Sequence, residues 1–249
     1  MNIETFNIQI AEVVTQVQPR YESTKAYCRN YLTDRPATFY ITVTEADLLF
    51  EQHMLDEEAR EEGIKLRKFT GPFSERAAIQ RKIAERLLRD DTLLMHGSTV
   101  AVDGIAYLFT AACGTGKSTH TRLWREVFGH RAVMINDDKP FLRISGNGIV
   151  ACGSPWSGKH GLDTNTAAPL GGICILSRGT EIVIRRIGPE DAAAMLLHQS
   201  FDPGTEAGRA KTAALVDRLL GTVPLWEMHC TKEPDAALVA FRAMSAEKT

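Results

Sequence analysis

The run Ala111-Ala112-Cys113-Gly114-Thr115-Gly116-Lys117-Ser118 constrains the fold of this chain more than any other stretch. It sits between the apolar segment GIAYLF, residues 104–109, and the amphipathic THTRLWREVF, residues 119–128. An apolar strand, a glycine-bearing turn and a helix N-terminus in that order make an anion cradle. Backbone N–H groups converge on the ligand and the helix dipole adds partial positive charge. In this reading Cys113, Gly114, Thr115, Gly116, Lys117, Ser118 and Thr119 surround the phosphates of a nucleotide. Lys117 reaches the outer phosphates as a point charge, and Ser118 offers its hydroxyl to Mg²⁺. Ala111 departs from the G-x-x-x-x-G-K-[ST] pattern only where the loop leaves its strand, and a methyl group is acceptable there if φ is negative. The competing reading is a chance match in an ordinary strand–turn–helix. The apolar strand before the loop and the helix after it are the context the motif requires.

The segments around the loop predict a mixed α/β fold. TLLMHGSTVAV, GIAYLFTAA, RAVMIND, PFLRI, GIVAC, GGICILSRG and EIVIRRI are short apolar runs bounded by Gly, Asp or Pro, and read as strands. One helix is expected at about residues 117–128. Val102-Asp103-Gly104-Ile105 signals a two-residue hairpin, because Asp-Gly adopts the positive φ angles such a turn demands. An antiparallel hairpin feeding the phosphate loop predicts a mixed sheet instead of a regular βαβ series. Further helices are expected near residues 189–199, 205–220 and 233–246. Residues 1–90 read as a separate α+β portion and residues 91–249 as the core that carries the loop. In the first portion FNIQIAEVV and TFYITVT read as extended. Thr44 reads as the N-cap of a helix from Glu45 to about Glu62 that stops at Gly63. Ser74 reads as the N-cap of a second helix with Ala78, Ile79, Ile83, Leu87 and Leu88 inward and a solvated outer face of Arg, Lys and Glu.

Charge and cysteine usage narrow the partners. With 29 basic and 31 acidic residues the formal net charge is −2, which gives no warrant for a nucleic-acid or membrane partner. No apolar run approaches the length of a membrane span, and MNIETFNIQIAEV lacks the pattern of a signal peptide, so the cytoplasm is the expected location. Cys28, Cys113, Cys152, Cys174 and Cys230 are dispersed, with no zinc-ligand spacing, which suits a reducing compartment.

Beyond the loop, Ala132–Asn136 is an apolar run ending in Asp137 and Asp138. A single strand-end Asp is usually a turn cap. Two adjacent carboxylates after a phosphate loop are better explained as one that holds Mg²⁺ and one that accepts a proton from an attacking hydroxyl. The pair tilts the reading from hydrolysis towards transfer onto an alcohol. His96, before Gly97 at the end of an expected strand, reads by itself as structural.

The run MHGSTVAVDGIAYLFTAACGTGKSTHTRLW, followed by GHRAVMINDD, resembles the catalytic core of HPr kinase/phosphorylase, within the superfamily that includes the ATP-using phosphoenolpyruvate carboxykinases. The shared order is His-Gly, hairpin, phosphate loop, helix, Gly-His-Arg turn and Asp-Asp. The likeness is close over about residues 92–140 and gives residues 1–90 no role. It implies a mixed-sheet P-loop core and a Mg²⁺- and ATP-dependent kinase whose acceptor is a serine-like hydroxyl on a small molecule, peptide or protein. It also implies that His96 lies near the acceptor phosphate, that Lys117 is the loop lysine, that Ser118 and Asp137 face the metal, and that Asp138 accepts the proton. Family members form homo-oligomers, although no segment here specifies one. The sequence departs from the family at Ala111, where the loop has Gly, at Thr119, where Glu is usual, and by three extra residues before the Asp pair. No counterpart of the phosphorylase-associated motif is present, so dephosphorylation is not expected.

On the acceptor side, GSPWSGKHG at 153–161 reads either as a mobile segment that brings Lys159 or His160 to phosphate or as a solvated surface loop. Arg122 faces the nucleotide or an ion-pair partner. Arg185 and Arg186 lie on opposite faces of a strand, so at most one points to the site. Two other functions compete with a kinase. A carboxykinase-like lyase needs a second metal cluster that the sequence does not offer, and a non-catalytic nucleotide sensor has no use for the second carboxylate.

Overall fold

The computed structural model describes residues 3–61, 63 and 65–246. The chain divides into two compact units, residues 1–86 and 87–249.

The first unit holds a three-stranded sheet in the order β1 (Phe6–Ile10), β2 (Val13–Gln18), β3 (Phe39–Thr42). FNIQIAEVV is not one extended run. Ile10 pairs with Val13, and Ala11 (φ 49°) with Glu12 (φ 69°) turns the chain back in the left-handed region. That is the backbone of a two-residue hairpin without its usual Asn or Gly, which is why no turn residue marked it. A short helix, α1 (Ser23–Tyr27), precedes β3, which joins β2 in parallel. Helix α2 (Glu45–Glu61) opens on a reciprocal cap. The Asp47 N–H donates to Thr44 Oγ1 (3.3 Å), and the Thr44 N–H donates to Asp47 Oδ2 (2.8 Å).

Helix α3 spans Gly71–Leu88, so Ser74 lies inside it instead of capping it. The N–H groups of Phe73 and Ser74 donate to the Thr70 carbonyl. Pro72 is tolerated because the first helical turn leaves its N–H groups without intrahelical acceptors. Nor is the outer face of α3 merely solvated. Glu75 is fully buried and accepts from the Arg20 N–H and the Thr24 hydroxyl. Arg81 meets Glu51 (2.6 Å), Asp47 (3.1 Å) and Glu85 (3.1 Å).

The second unit is a mixed sheet in the order β4 (Thr92–Leu94), β8 (Phe141–Ser145), β9 (Gly148–Cys152), β10 (Ala167–Arg178), β6 (Ile105–Thr110), β5 (Ser98–Val102), β7 (Ala132–Asn136). Strand β10 is antiparallel to β9 at its start, then parallel to β6 and to β12 (Leu225–Cys230), which also pairs with β11 (Val183–Arg186). The Asp-Gly hairpin joins β5 to β6, with Asp103 at φ 52° and Gly104 at φ 80°. Strand β12 was not read from the sequence, since Glu227 and His229 interrupt its apolar pattern, although Leu225, Trp226 and Met228 are buried.

TLLMHGSTVAV is likewise two strands, β4 paired with β8 and β5 paired with β6 and β7. The chain crosses between them at His96-Gly97. A Cβ on Gly97 would stand 2.6 Å from Leu108 Cδ1 and 3.0 Å from the Phe109 carbonyl oxygen, so only glycine fits this crossing. His96 therefore sits on a link between strands and not at a strand end.

Alternating side chains send β6 and β10 into two cores. Phe109, Cys174 and Trp226 pack with Leu123 and Trp124 of α4 (Lys117–Phe128) and Ala240 of α7 (Asp235–Ser245). Leu108 and Ile173 pack on the other face with Leu196 of α5 (Pro189–His198) and Leu219 of α6 (Glu206–Thr222). Among the described residues no helix is long and apolar enough to cross a membrane.

Candidate active site

The loop between β6 and α4 is bent by Gly114 (φ 72°) and Gly116 (φ 121°), both in the left-handed region. Thr115 ties its curve, its N–H (3.3 Å) and hydroxyl (2.8 Å) both donating to the Ala112 carbonyl. Ala111, where the motif has glycine, does not take a positive φ, and its methyl is fully buried in the core with Phe109 and Trp124. The substitution adds packing where the strand ends. In α4 the His120 N–H donates to the Gly116 carbonyl (2.9 Å), so the N–H groups ahead of it lack intrahelical acceptors and stand at the positive end of the helix dipole. Ser118 and Thr119 are half-buried in that first turn, and Cys113 is exposed.

Lys117 is buried, and its Nζ donates to the Ala111 carbonyl (3.1 Å). Burial lowers its pKa, Lys139 adds to the effect, and Cys113, Asp138 and Asp137 oppose it. A cation withdrawn from water beside a carbonyl is poised for an anion that restores its solvation.

Strand β7 delivers the two carboxylates through Asn136. Asn136 Nδ2 donates to the Ser154 carbonyl (2.8 Å), while Oδ1 accepts from the N–H groups of Asp138 (2.8 Å) and Lys139 (2.6 Å). This side-chain turn sends the neighbouring aspartates to different surroundings. Asp137 is buried and its Oδ1 accepts from Ser98 Oγ (2.6 Å), which also meets Thr121 Oγ1 of α4 (2.7 Å). Asp138 is partly exposed and its Oδ1 lies 3.2 Å from His96 Nε2 and 3.7 Å from Lys139 Nζ. Burial disfavours its ionisation, but His96, Lys139 and Lys117 outweigh that and hold it below the ordinary carboxylate pKa. Burial also lowers the pKa of His96, with Lys139 and Lys117 adding to the effect and Asp138 opposing it. A neutral imidazole donating Nε2–H to an ionised Asp138 satisfies both shifts.

His96 is held by its backbone. Its N–H donates to the Gln199 carbonyl (2.7 Å) after α5, its carbonyl accepts from Thr110 Oγ1 (3.0 Å), and the Gly97 N–H donates to the Asp138 carbonyl (3.0 Å). The chain crossing thus binds the histidine to the aspartate turn and to the strand that feeds the loop.

The 153–161 segment, read from sequence as either a mobile segment or a solvated surface loop, is buried over its first half and exposed from Gly158. Ser154, Trp156 and Ser157 are buried, and Ser157 Oγ donates to Asp163 (2.7 Å). Its approach to the site is through Gly158 (φ 69°), where a Cβ would come within 3.2 Å of Asp138 Cβ. Lys159 and His160 follow on an exposed 3-10 turn. Arg122 pairs with Glu126 on the exposed side of α4. Arg185 pairs with Glu227 (2.6 Å), and Arg186 stacks over Trp226, so both serve the sheet edge. Three residues of the site were not singled out from sequence. Ser98 and Arg178 carry no local signal, whereas Asn136 ahead of Asp-Asp-Lys-Pro was a legible turn former. Arg178 Nη2 donates to the Gly114 carbonyl.

No family model and no curated protein matches this chain. Among solved structures it is similar to the Hpr(Ser) kinase/phosphatase from Coxiella burnetii, at 10% identity over 62% of this chain and 90% of that one, with a TM-score of 0.38. That likeness assigns no role to any residue.

Proposed function

We propose that this protein is a kinase that uses Mg²⁺ and ATP to phosphorylate a hydroxyl on a small molecule, peptide or protein. The observation that carries the reading is the pairing of an ionised Asp138 with His96, within electrostatic reach of the buried Lys117. The loop amides and Lys117 bind the triphosphate, and Asp138 accepts the hydrogen bond of the incoming alcohol. The alcohol oxygen forms its bond to the γ-phosphorus as the bond to the β–γ bridging oxygen breaks, ADP leaves, and the alcohol proton passes to Asp138. Because the transferring group is loosely bonded, a weak base suffices, and positioning with charge stabilisation supplies most of the rate. His96 orients Asp138 through Nε2.

The donor set suits a hard cation. Ser118 brings a hydroxyl, and Asp137, fixed through one oxygen by Ser98, keeps a second oxygen as an acceptor. These two residues would hold Mg²⁺, which when bound neutralises charge on the phosphates. Purified protein given MgATP and serine, inositols, short peptides or HPr should form ADP in proportion to a phosphorylated product. ADP released without any such product would mark a hydrolase, and ATP bound without turnover across these acceptors would mark a sensor.

A further inference from the structure

Gln199, at the end of helix α5, is the residue opposite His96. Met95 and Ser200 form an antiparallel bridge, flanked by hydrogen bonds from the His96 N–H to the Gln199 carbonyl (2.7 Å) and from the Phe201 N–H to the Leu94 carbonyl (3.0 Å). Residues opposite one another in an antiparallel pair put their side chains on one face. Ser200 Oγ meets Met95 Sδ (3.1 Å), and Met95 lies in the core. The next pair along, His96 and Gln199, therefore shares the other face, where His96 meets Asp138.

Gln199 is 7% exposed, yet no described residue donates to its buried Oε1. The other buried polar side chains nearby are spent inside the fold. Asn136 binds Ser154, Asp138 and Lys139, Ser98 binds Asp137, and Ser157 binds Asp163. An amide oxygen withdrawn from water without a donor costs stability, and a fold keeps such a group where something gains from it. Beside the His96–Asp138 pair, what gains is a molecule that brings the missing donor.

We propose that Gln199 is a specificity-determining residue whose Oε1 accepts a hydrogen bond from a second polar group of the phosphoryl acceptor, an N–H or O–H close to the hydroxyl that reacts at Asp138. This rests on the kinase reading of the site. It narrows the acceptor to a molecule with a donor beside its hydroxyl, either an amino-acid unit or a polyol, and disfavours a simple alcohol. An acceptor without that donor leaves the buried oxygen unpaired in the complex, so the site rejects it.

Transfer from MgATP to matched acceptors tests the proposal. One pair is a serine peptide and the same peptide with the serine N–H replaced by an ester oxygen; the other is an inositol and its monodeoxy analogues. The wild type should favour the complete member of the pair it phosphorylates by at least about tenfold in kcat/KM, and the pair that responds names the source of the donor. In Gln199→Met, an apolar side chain of similar length, that preference should shrink to within about twofold, with MgATP affinity equally close to wild type. The thermal midpoint of this variant should hold or rise, because the unpaired amide is gone. A midpoint lower by roughly 4 °C or more would make Gln199 a structural residue and overturn its role. So would a wild type indifferent to both pairs, or a variant that keeps the preference, and either result would leave the kinase standing. Transfer to no acceptor would remove the kinase reading and this inference with it.

Discussion

Arg81 in the first unit and Lys117 in the second are both cations drawn out of water, and the chain treats them in opposite ways. Asp47, Glu51 and Glu85 surround Arg81 within 3.1 Å. Burial works against its charge, but Glu51 and Glu85 outweigh that and raise its pKa. Lys117 has a carbonyl for a close partner and carboxylates only at longer range, and its pKa is lowered. A cluster closed by its own carboxylates has nothing to gain from a ligand, so it reads as structure. A cation whose field is left open gains from an incoming anion, so it reads as a site.

The sharpest way to break this contrast is at Asp138. With Asp138→Asn, phosphoryl transfer should fall by about a thousandfold, in the range of a general base, while MgATP affinity holds within a few fold. Full transfer by this variant in a single-turnover assay would remove the base. At Lys117, replacement by Ala should weaken MgATP about a hundredfold by loss of a charge-assisted contact, with the thermal midpoint unchanged or raised because a buried charge is gone. Titration calorimetry and thermal unfolding on the same sample separate the two effects, and unchanged ATP affinity would make Lys117 structural. Arg81→Ala should do the reverse, costing about 2 kcal/mol of stability in urea unfolding by leaving the buried Glu51 without its cation, while Asp47 keeps Lys82, with MgATP affinity unaltered.

The smallest effects distinguish the units by pH. Burial opposes ionisation of Asp47, but hydrogen bonds from Thr44 and Lys82 lower its pKa from 3.8 to about 2. Its contribution is complete above the ordinary aspartate pKa and is lost as pH falls from about 4 towards 2. The thermal-midpoint gap between wild type and Asp47→Asn should therefore be wide at pH 7 and narrow near pH 2.5, and a constant gap would refute the linkage. His120 is 1% exposed, and burial lowers its pKa from 6.5 to about 4. The unfolded chain takes up its proton first, so this group destabilises the second unit as pH falls from about 6.5 to 4. His120→Gln should flatten that part of the stability curve.

Much of the second unit was legible because its signals are local. The glycines of the loop, the Asp-Gly hairpin and the helix at 117–128 depend on neighbours in sequence, and the structure has each at the expected residues. The misread stretches share a cause. Ser74 resembles a cap but lies within α3, because the chain enters the helix through Thr70, Gly71 and Pro72. The turn at Ala11-Glu12 uses residues that seldom turn, and the Glu75 of an apparently solvated face is buried by partners more than fifty positions away.

The site divides in the same way. The sequence by itself determined that a strand leads through a glycine turn into an amphipathic helix bearing lysine and serine, and that two carboxylates follow on another strand. Backbone conformation and hydrophobic period act over a few residues and can be read there. Only the tertiary structure decided which aspartate is buried on Ser98 and which pairs with His96, that Gly158 closes on that pair, and that Arg178 reaches the loop from β10. Those relations depend on strand order and chain crossings, which are fixed by packing between residues far apart in sequence and leave no mark on any local pattern.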